Sequence, residues 1–149
     1  MLKTLGGLTL EGTNFKRHKP LLLLAYLTLE GTKERRFLAE LFWQRAKDPR
    51  NSLSTAIAKI RKAVPDVVVA DSQTVAVNLD CDAKTLLSLD AEQRHEVLTL
   101  YRGPFLQGLA LDNIGVELEE WIYGTKEVLA RQARRSLLNL AEDEARHGK

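Results

Sequence analysis

Residues 48–64 read DPRNSLSTAIAKIRKAV, and the rest of the chain groups itself around this stretch. Asp48-Pro49 is a helix start: a side chain able to cap the first turn, then a residue whose fixed φ and missing N–H suit that turn. Leu53, Ile57, Ile60 and Val64 follow at i, i+4, i+7 and i+11, the spacing of one buried helical face. At about 100° per residue, Asn51, Thr55, Ala58 and Lys62 emerge on the opposite side, with Ser54 and Arg61 along one edge and Lys59 along the other. Solvated helix faces are ordinarily filled with Glu–Lys pairs. This one contains no acid from Pro49 to Val64. Short side chains let a helix approach another body closely, and the cations point to an anionic body.

Upstream, LKTLGGLTLEG at 2–12 reads as two short strands broken at Gly6-Gly7, a hairpin signal. Pro20 opens a helix over LLLLAYLTLE, and Gly31 closes it. Thr32 is placed to cap a second helix through TKERRFLAELFW, with Phe37, Leu38, Leu41 and Phe42 inward and Lys33, Arg35 and Arg36 outward. Pro65 stops the third helix. The period then changes to alternation: VVVA at 67–70 and TVAVNL at 74–79 are β-branched runs separated by DSQ, a second hairpin. Strand hairpin, three helices, strand hairpin is the outline of an α+β winged helix-turn-helix, whose third helix enters the major groove of DNA.

From Asp80 the pattern is all helical. DAKTLLSL (82–89) and AEQRHEVLTLY (91–101) read as two helices, the second ended by Arg102-Gly103-Pro104. A looser stretch, FLQGLALDNIG, leads into an amphipathic segment over 116–147 in which Leu118, Ile122, Leu129, Ala133, Leu137 and Leu140 repeat at roughly 3.6. Gly124 interrupts it, at a cost of about 1 kcal/mol relative to Ala or as a bend, and His147-Gly148-Lys149 is a C-cap signal. The aromatic residues Tyr101, Phe105, Trp121 and Tyr123 are expected to pack between these helices. So long an apolar face has few partners within this sequence, so the chain is expected to be the front part of a larger helical array. Cut short in this way, the face should pair with a second copy at high concentration, burying Leu129, Leu137 and Leu140. Two units result: residues 1–80, the winged helix-turn-helix, and residues 81–149, the start of an all-α unit.

Charge divides at the same place. Residues 1–80 hold 13 Lys and Arg against 8 Asp and Glu, a net of +5, whereas 81–149 hold 9 against 12, a net of −3. A basic half joined to an acidic half suits two different partners, the first a polyanion. The single cysteine, Cys81, excludes an internal disulfide framework and fits a reducing compartment. The longest apolar run, LLLLAYLTL at 21–29, falls well short of the ~20 residues of a membrane span. No small-residue cleavage pattern follows it, although KRHK precedes it. The expected location is cytoplasmic.

Signals for catalysis are poor. His18, His95 and His147 lie far apart, and Glu92 with His95 forms a single Glu-x-x-His where a di-iron site needs two. Cys81 sits between Asp80 and Asp82, which disfavour its thiolate. The sequence contains no P-loop, no G-x-G-x-x-G and no G-x-S-x-G. The expectation is a protein that is not an enzyme and carries no cofactor and no metal.

Three stretches, LGGLTLEG near the start, ELFWQRAKDPRNSLSTAIAKIRKAV in the middle and LTLYRGPFLQGL at 98–109, carry a resemblance. In this order the chain resembles the SARP-type bacterial transcriptional activators, which join an OmpR-like winged helix to a tetratricopeptide-like bacterial transcriptional activator domain. The likeness covers nearly the whole chain, with the helical domain cut to its first helices. It implies base-edge contacts from Ser54, Thr55, Ala58, Lys59, Arg61 and Lys62. Asn51 and Ser52 would face phosphate at the helix N-terminus, beside Arg50, and Trp43 would touch the DNA backbone or pack beneath it. It implies a double-stranded promoter repeat and RNA polymerase as partners. In one respect the chain departs from the family. OmpR-like wings carry Gly-Tyr-Arg, the Arg reaching into the minor groove, whereas DSQTVAVNLD at 71–80 has no basic residue, and Asp71 and Asp80 would repel phosphate. A winged-helix and tetratricopeptide-like scaffold without DNA binding is the alternative that this neutral wing raises.

Overall fold

The computed structural model describes residues 1–110 and 114–147. The chain is a mixed α+β protein. Strands β1 (Leu2–Lys3) and β2 (Thr9–Leu10) form the first hairpin, antiparallel with Leu2 opposite Leu10. Helix α1 (His18–Glu30) ends at Gly31, whose φ of 87° is the left-handed conformation that glycine adopts at no steric cost. Every residue from Pro20 to Thr28 is buried. A helix apolar on all sides belongs at the centre of a core, and α1 packs against elements of both halves of the chain.

The second helix begins later than its sequence suggests. Lys33–Glu34 form strand β3, pairing antiparallel with β5 (Thr74–Val77), which also pairs with β4 (Val68–Ala70) in a three-stranded sheet of order β3-β5-β4. Helix α2 (Arg35–Trp43) therefore starts at Arg35, and Thr32 does not cap it, because the intervening residues are committed to the sheet. Its buried positions are Leu38, Ala39 and Phe42, while Phe37 is 44% exposed with the Lys33 ammonium 5.8 Å from its ring centre. Helix α3 (Pro49–Ala63) follows, with Leu53, Ala56, Ile57 and Ile60 buried.

Beyond the sheet lie α4 (Asp82–Leu87), a 3-10 turn at Arg94–Glu96 running into α5 (Val97–Leu100), and α6 (Val116–Arg146). The helix expected over 91–101 is thus reduced to its end. The Asp90 carboxylate accepts the Glu92 and Gln93 N–H groups, each at 3.0 Å, a local turn that competes with a helical start. Helix α6 passes through Gly124 as a single helix. Its buried positions are Leu118, Leu129, Ala133 and Ser136, so Leu137 (41% exposed) and Tyr123 (67% exposed) lie off the inner face on which the sequence placed them. The expected cap at Gly148 and the 111–113 part of the linking stretch fall outside the described residues.

One apolar core spans both halves. The first hairpin is bonded to the helical part: Leu2 N–H to Asp80 O at 2.7 Å, Leu106 N–H to Thr4 O at 2.7 Å, Gly6 N–H to Pro104 O at 3.0 Å. At its centre Asp82, 1% exposed, accepts from Thr4 N–H (2.8 Å), Thr4 Oγ1 (2.7 Å), Leu5 N–H (2.9 Å) and Ala83 N–H (2.8 Å), with Arg102 3.7 Å away. A chain of aromatic contacts crosses the same seam. Phe42 meets Tyr26 (5.7 Å between centres), Tyr26 meets Trp121 (4.8 Å), and Trp121 meets Phe105 (5.8 Å), all edge-on. Each such pair adds about 0.5–1.5 kcal/mol beyond its buried area.

Candidate nucleic-acid interface

The outward face of α3 is set by its inward one. Asp48 caps the helix by accepting the Asn51 N–H at 3.1 Å, and burial of Leu53, Ile57 and Ile60 then fixes the rotation. Asn51, Ser54, Thr55, Ala58, Lys59, Arg61 and Lys62 are exposed as a result, and Ser52 is half-buried. Arg61 and Lys62 occupy the last turn, where the helix dipole favours cations.

A cleft flanks this ridge on each side. The first, about 500 Å³, is bounded by Asn51, Ser52, Thr55 and Lys59 of α3, by Trp43 at the end of α2, and by Arg17, His18 and Lys19 at the start of α1. The Lys19 ammonium lies 5.4 Å from the centre of the Trp43 ring, a cation–π arrangement, and burial pushes its pKa below the ordinary lysine value. No side chain caps the N-terminus of α1, so its free N–H groups and the positive end of its dipole add to the field at this cleft.

The second cleft, about 520 Å³, lies between α3, the start of α2 and the β4–β5 turn, with Arg35, Arg36, Arg50, Ser54, Ser72 and Gln73 among its walls. Arg35 spans it: Nε donates to Asp71 O at 2.6 Å and Nη1 to Ser54 Oγ at 3.3 Å. The Asp71 carboxylate accepts the Thr74 and Gln73 N–H groups, each at 2.7 Å. Those two amides hold its pKa below the usual carboxylate range. The hairpin's own acid is therefore engaged in its turn, and the cations of this cleft come from the helices.

No protein-family model and no curated protein matches the chain. Of the residues singled out in the sequence, Asn51, Ser52, Thr55, Lys59 and Trp43 share the first cleft, and Arg50 and Ser54 share the second. Ala58, Arg61 and Lys62 line neither and stand exposed on α3. The structure adds Arg17 and Lys19. Their signal in the sequence is KRHK at 16–19, which by itself marks only the flank of an apolar run. Its proximity to Thr55 and Lys59, about 40 residues on, is a matter of tertiary packing. Arg35 is likewise more than an outward cation, since it ties two elements together. Among the described residues, no group of three or more His, Cys, Asp or Glu is placed to hold a metal ion, and no helix is long and apolar enough to cross a membrane.

Proposed function

We propose that this chain is a sequence-specific DNA-binding transcriptional regulator. In this reading the part from β1 to β5 is a winged helix-turn-helix, α3 is its recognition helix in the major groove, and β4–β5 is its wing. The observation that carries it is the acid-free outward face of α3 standing between two clefts whose walls carry Lys and Arg, three arginines against the single acid Glu34 in the second. A B-DNA major groove admits one helix, and its two phosphate walls then fall on either side of that helix. The first cleft would receive one backbone on Lys19, Lys59 and the N-terminus of α1, the second the other on Arg36 and Arg50. The exposed Arg61 is suited to a guanine edge. The acidic, helical remainder would act in recruitment of RNA polymerase at the promoter, which makes the regulator an activator.

The neutral hairpin favours a second reading, a protein-interaction scaffold whose α3 face meets an acidic protein. Titration of the chain against promoter fragments, selected from a random duplex pool, separates the two. A DNA binder with about six phosphate contacts loses affinity with a log–log salt slope near −5. No retention of duplex at low salt would overturn the DNA reading and leave the scaffold.

A further inference from the structure

The outward face of α6 is acidic in its N-terminal half and basic around Arg131–Arg135, with Glu142 a single acid beyond the arginines. Glu120 and Glu127 stand on the N-terminal half and Arg131, Arg134 and Arg135 on the C-terminal half, all exposed. At about 100° per residue, Glu120, Glu127, Arg131, Arg134 and Leu138 fall within a sector of roughly 60°, opposite the buried Leu129, Ala133 and Ser136. Among the described residues, none of those five charged side chains has an ion-pair partner. Beside the acidic half opens an apolar groove of about 350 Å³ walled by Leu29, Leu87, Trp121 and Val128, with Glu30 and Glu120 also lining it. A Cβ at Gly124, within this groove, would meet nothing within 4 Å. On the basic half Leu138 is 61% exposed, one turn beyond Arg134 and Arg135.

We infer that two copies of this chain pair through α6, antiparallel, about a two-fold axis between Glu127 and Arg131. Antiparallel pairing places the acidic half of each helix on the basic half of the other, whereas parallel pairing would set Glu against Glu and Arg against Arg. With the axis there, Arg131 meets Glu127 of the second copy, and Leu138 lies over the Glu120–Gly124 turn that borders the groove. The contact is made twice and closes on itself, as an isologous interface must. Leu129, 0% exposed, takes no part, so the face that pairs is the opposite of the one the leucine pattern proposed. Self-pairing does not depend on whether α3 reads DNA.

Sedimentation velocity of the full chain without DNA, from micromolar to sub-millimolar concentration, tests it. The expected result is a reversible dimer that weakens as salt screens the exposed pairs. Arg131→Glu with Arg134→Glu should weaken association at least tenfold without lowering the melting temperature. Adding Glu120→Arg and Glu127→Arg to that variant should restore the dimer, and Leu138→Ala alone should weaken it. A monomer at every concentration would overturn the pairing and leave the groove to a foreign partner. So would a dimer indifferent to these changes, or a fourfold variant that stays monomeric.

Discussion

Ala58 is the residue at which the DNA reading is most exposed to failure. It lies on the acid-free side of α3 with its side chain in solvent. Ala58→Glu costs a few tenths of a kcal/mol in helix propensity, so melting should hardly change. Duplex affinity, however, should fall at least tenfold, about 1.4 kcal/mol, because a carboxylate would be brought against phosphate. Normal affinity in the folded variant would mean that α3 is not the reader. Arg61→Ala should relax preference at one base position for about 1–3 kcal/mol if the contact is bidentate. Leu53→Asp places a charge at a site 1% exposed and should unfold the protein instead. Cys81 allows a separate check on the seam. Burial pushes its thiol pKa up and the neighbouring Asp82 adds to the effect, so at neutral pH it is a protonated, covered thiol. Alkylation followed by mass should be slow in the native chain and fast only once denaturant opens it.

At the scale of elements, Arg35 joins the start of α2, the β4–β5 turn and α3 through two hydrogen bonds. The acceptors are exposed, so Arg35→Ala should cost less than about 1 kcal/mol of global stability. Its effect belongs to the hairpin, whose amide exchange should accelerate while that of the α1 core is unchanged, and DNA affinity should drop with it. Arg35→Lys should not rescue, because an ammonium lacks the planar fork that reaches both acceptors. Unaltered exchange in the hairpin would show that Arg35 holds nothing. Asp71 sets a pH limit on the same turn. Its folded pKa is depressed, so its contribution is complete above the ordinary carboxylate range near pH 4. It is lost as pH falls through the lower folded value. Asp71→Asn should flatten the acid limb of hairpin melting by lowering hairpin stability at neutral pH towards its acid value, with little change at low pH.

For the molecule as a whole, Asp82 is the joint between the first hairpin and the helical part. Asp82→Ala leaves Thr4 and Leu5 N–H groups buried without an acceptor. The expected loss is about 3–5 kcal/mol, which lowers the melting temperature by roughly 6–20 °C in a chain of this size. A change of a degree or two would show that the hairpin is held by packing alone. The same joint governs dissection. A fragment of residues 1–80 lacks Asp82, Phe105 and Trp121 and so uncovers Leu2, Leu5 and Tyr26. It should melt well below the full chain and with less cooperativity, whatever DNA affinity α3 retains. Gly103 belongs to this seam as well. A Cβ there would come within 3.0 Å of Gly6 Cα, so the glycine that the sequence shows as a helix terminator is also where two backbones touch.

Local chemistry alone determined much of this protein. The Asp48-Pro49 start, the buried stripe of α3, the left-handed Gly31 and both hairpins follow from capping, 3.6-residue periodicity, φ permissiveness and β-branched alternation, each decided within a few neighbouring residues. So did the outward set on α3, because a helix with one buried face has no choice about the other. What needed the tertiary structure were features made by partners distant in the chain. Lys33 and Glu34 become strand because β5, 40 residues later, supplies the ladder. Phe37 turns outward because α2 is rotated by starting at Arg35. Ser136 rather than Leu137 lies inside because a 31-residue helix meets its neighbours only along the line they present. The cationic cleft of Arg17, Lys19 and Trp43, and the carboxylate of Asp82 within the first hairpin, are written in residues 24 and 78 positions apart. Periodicity carries the orientation of a side chain about its own element. Only packing decides which other element it faces.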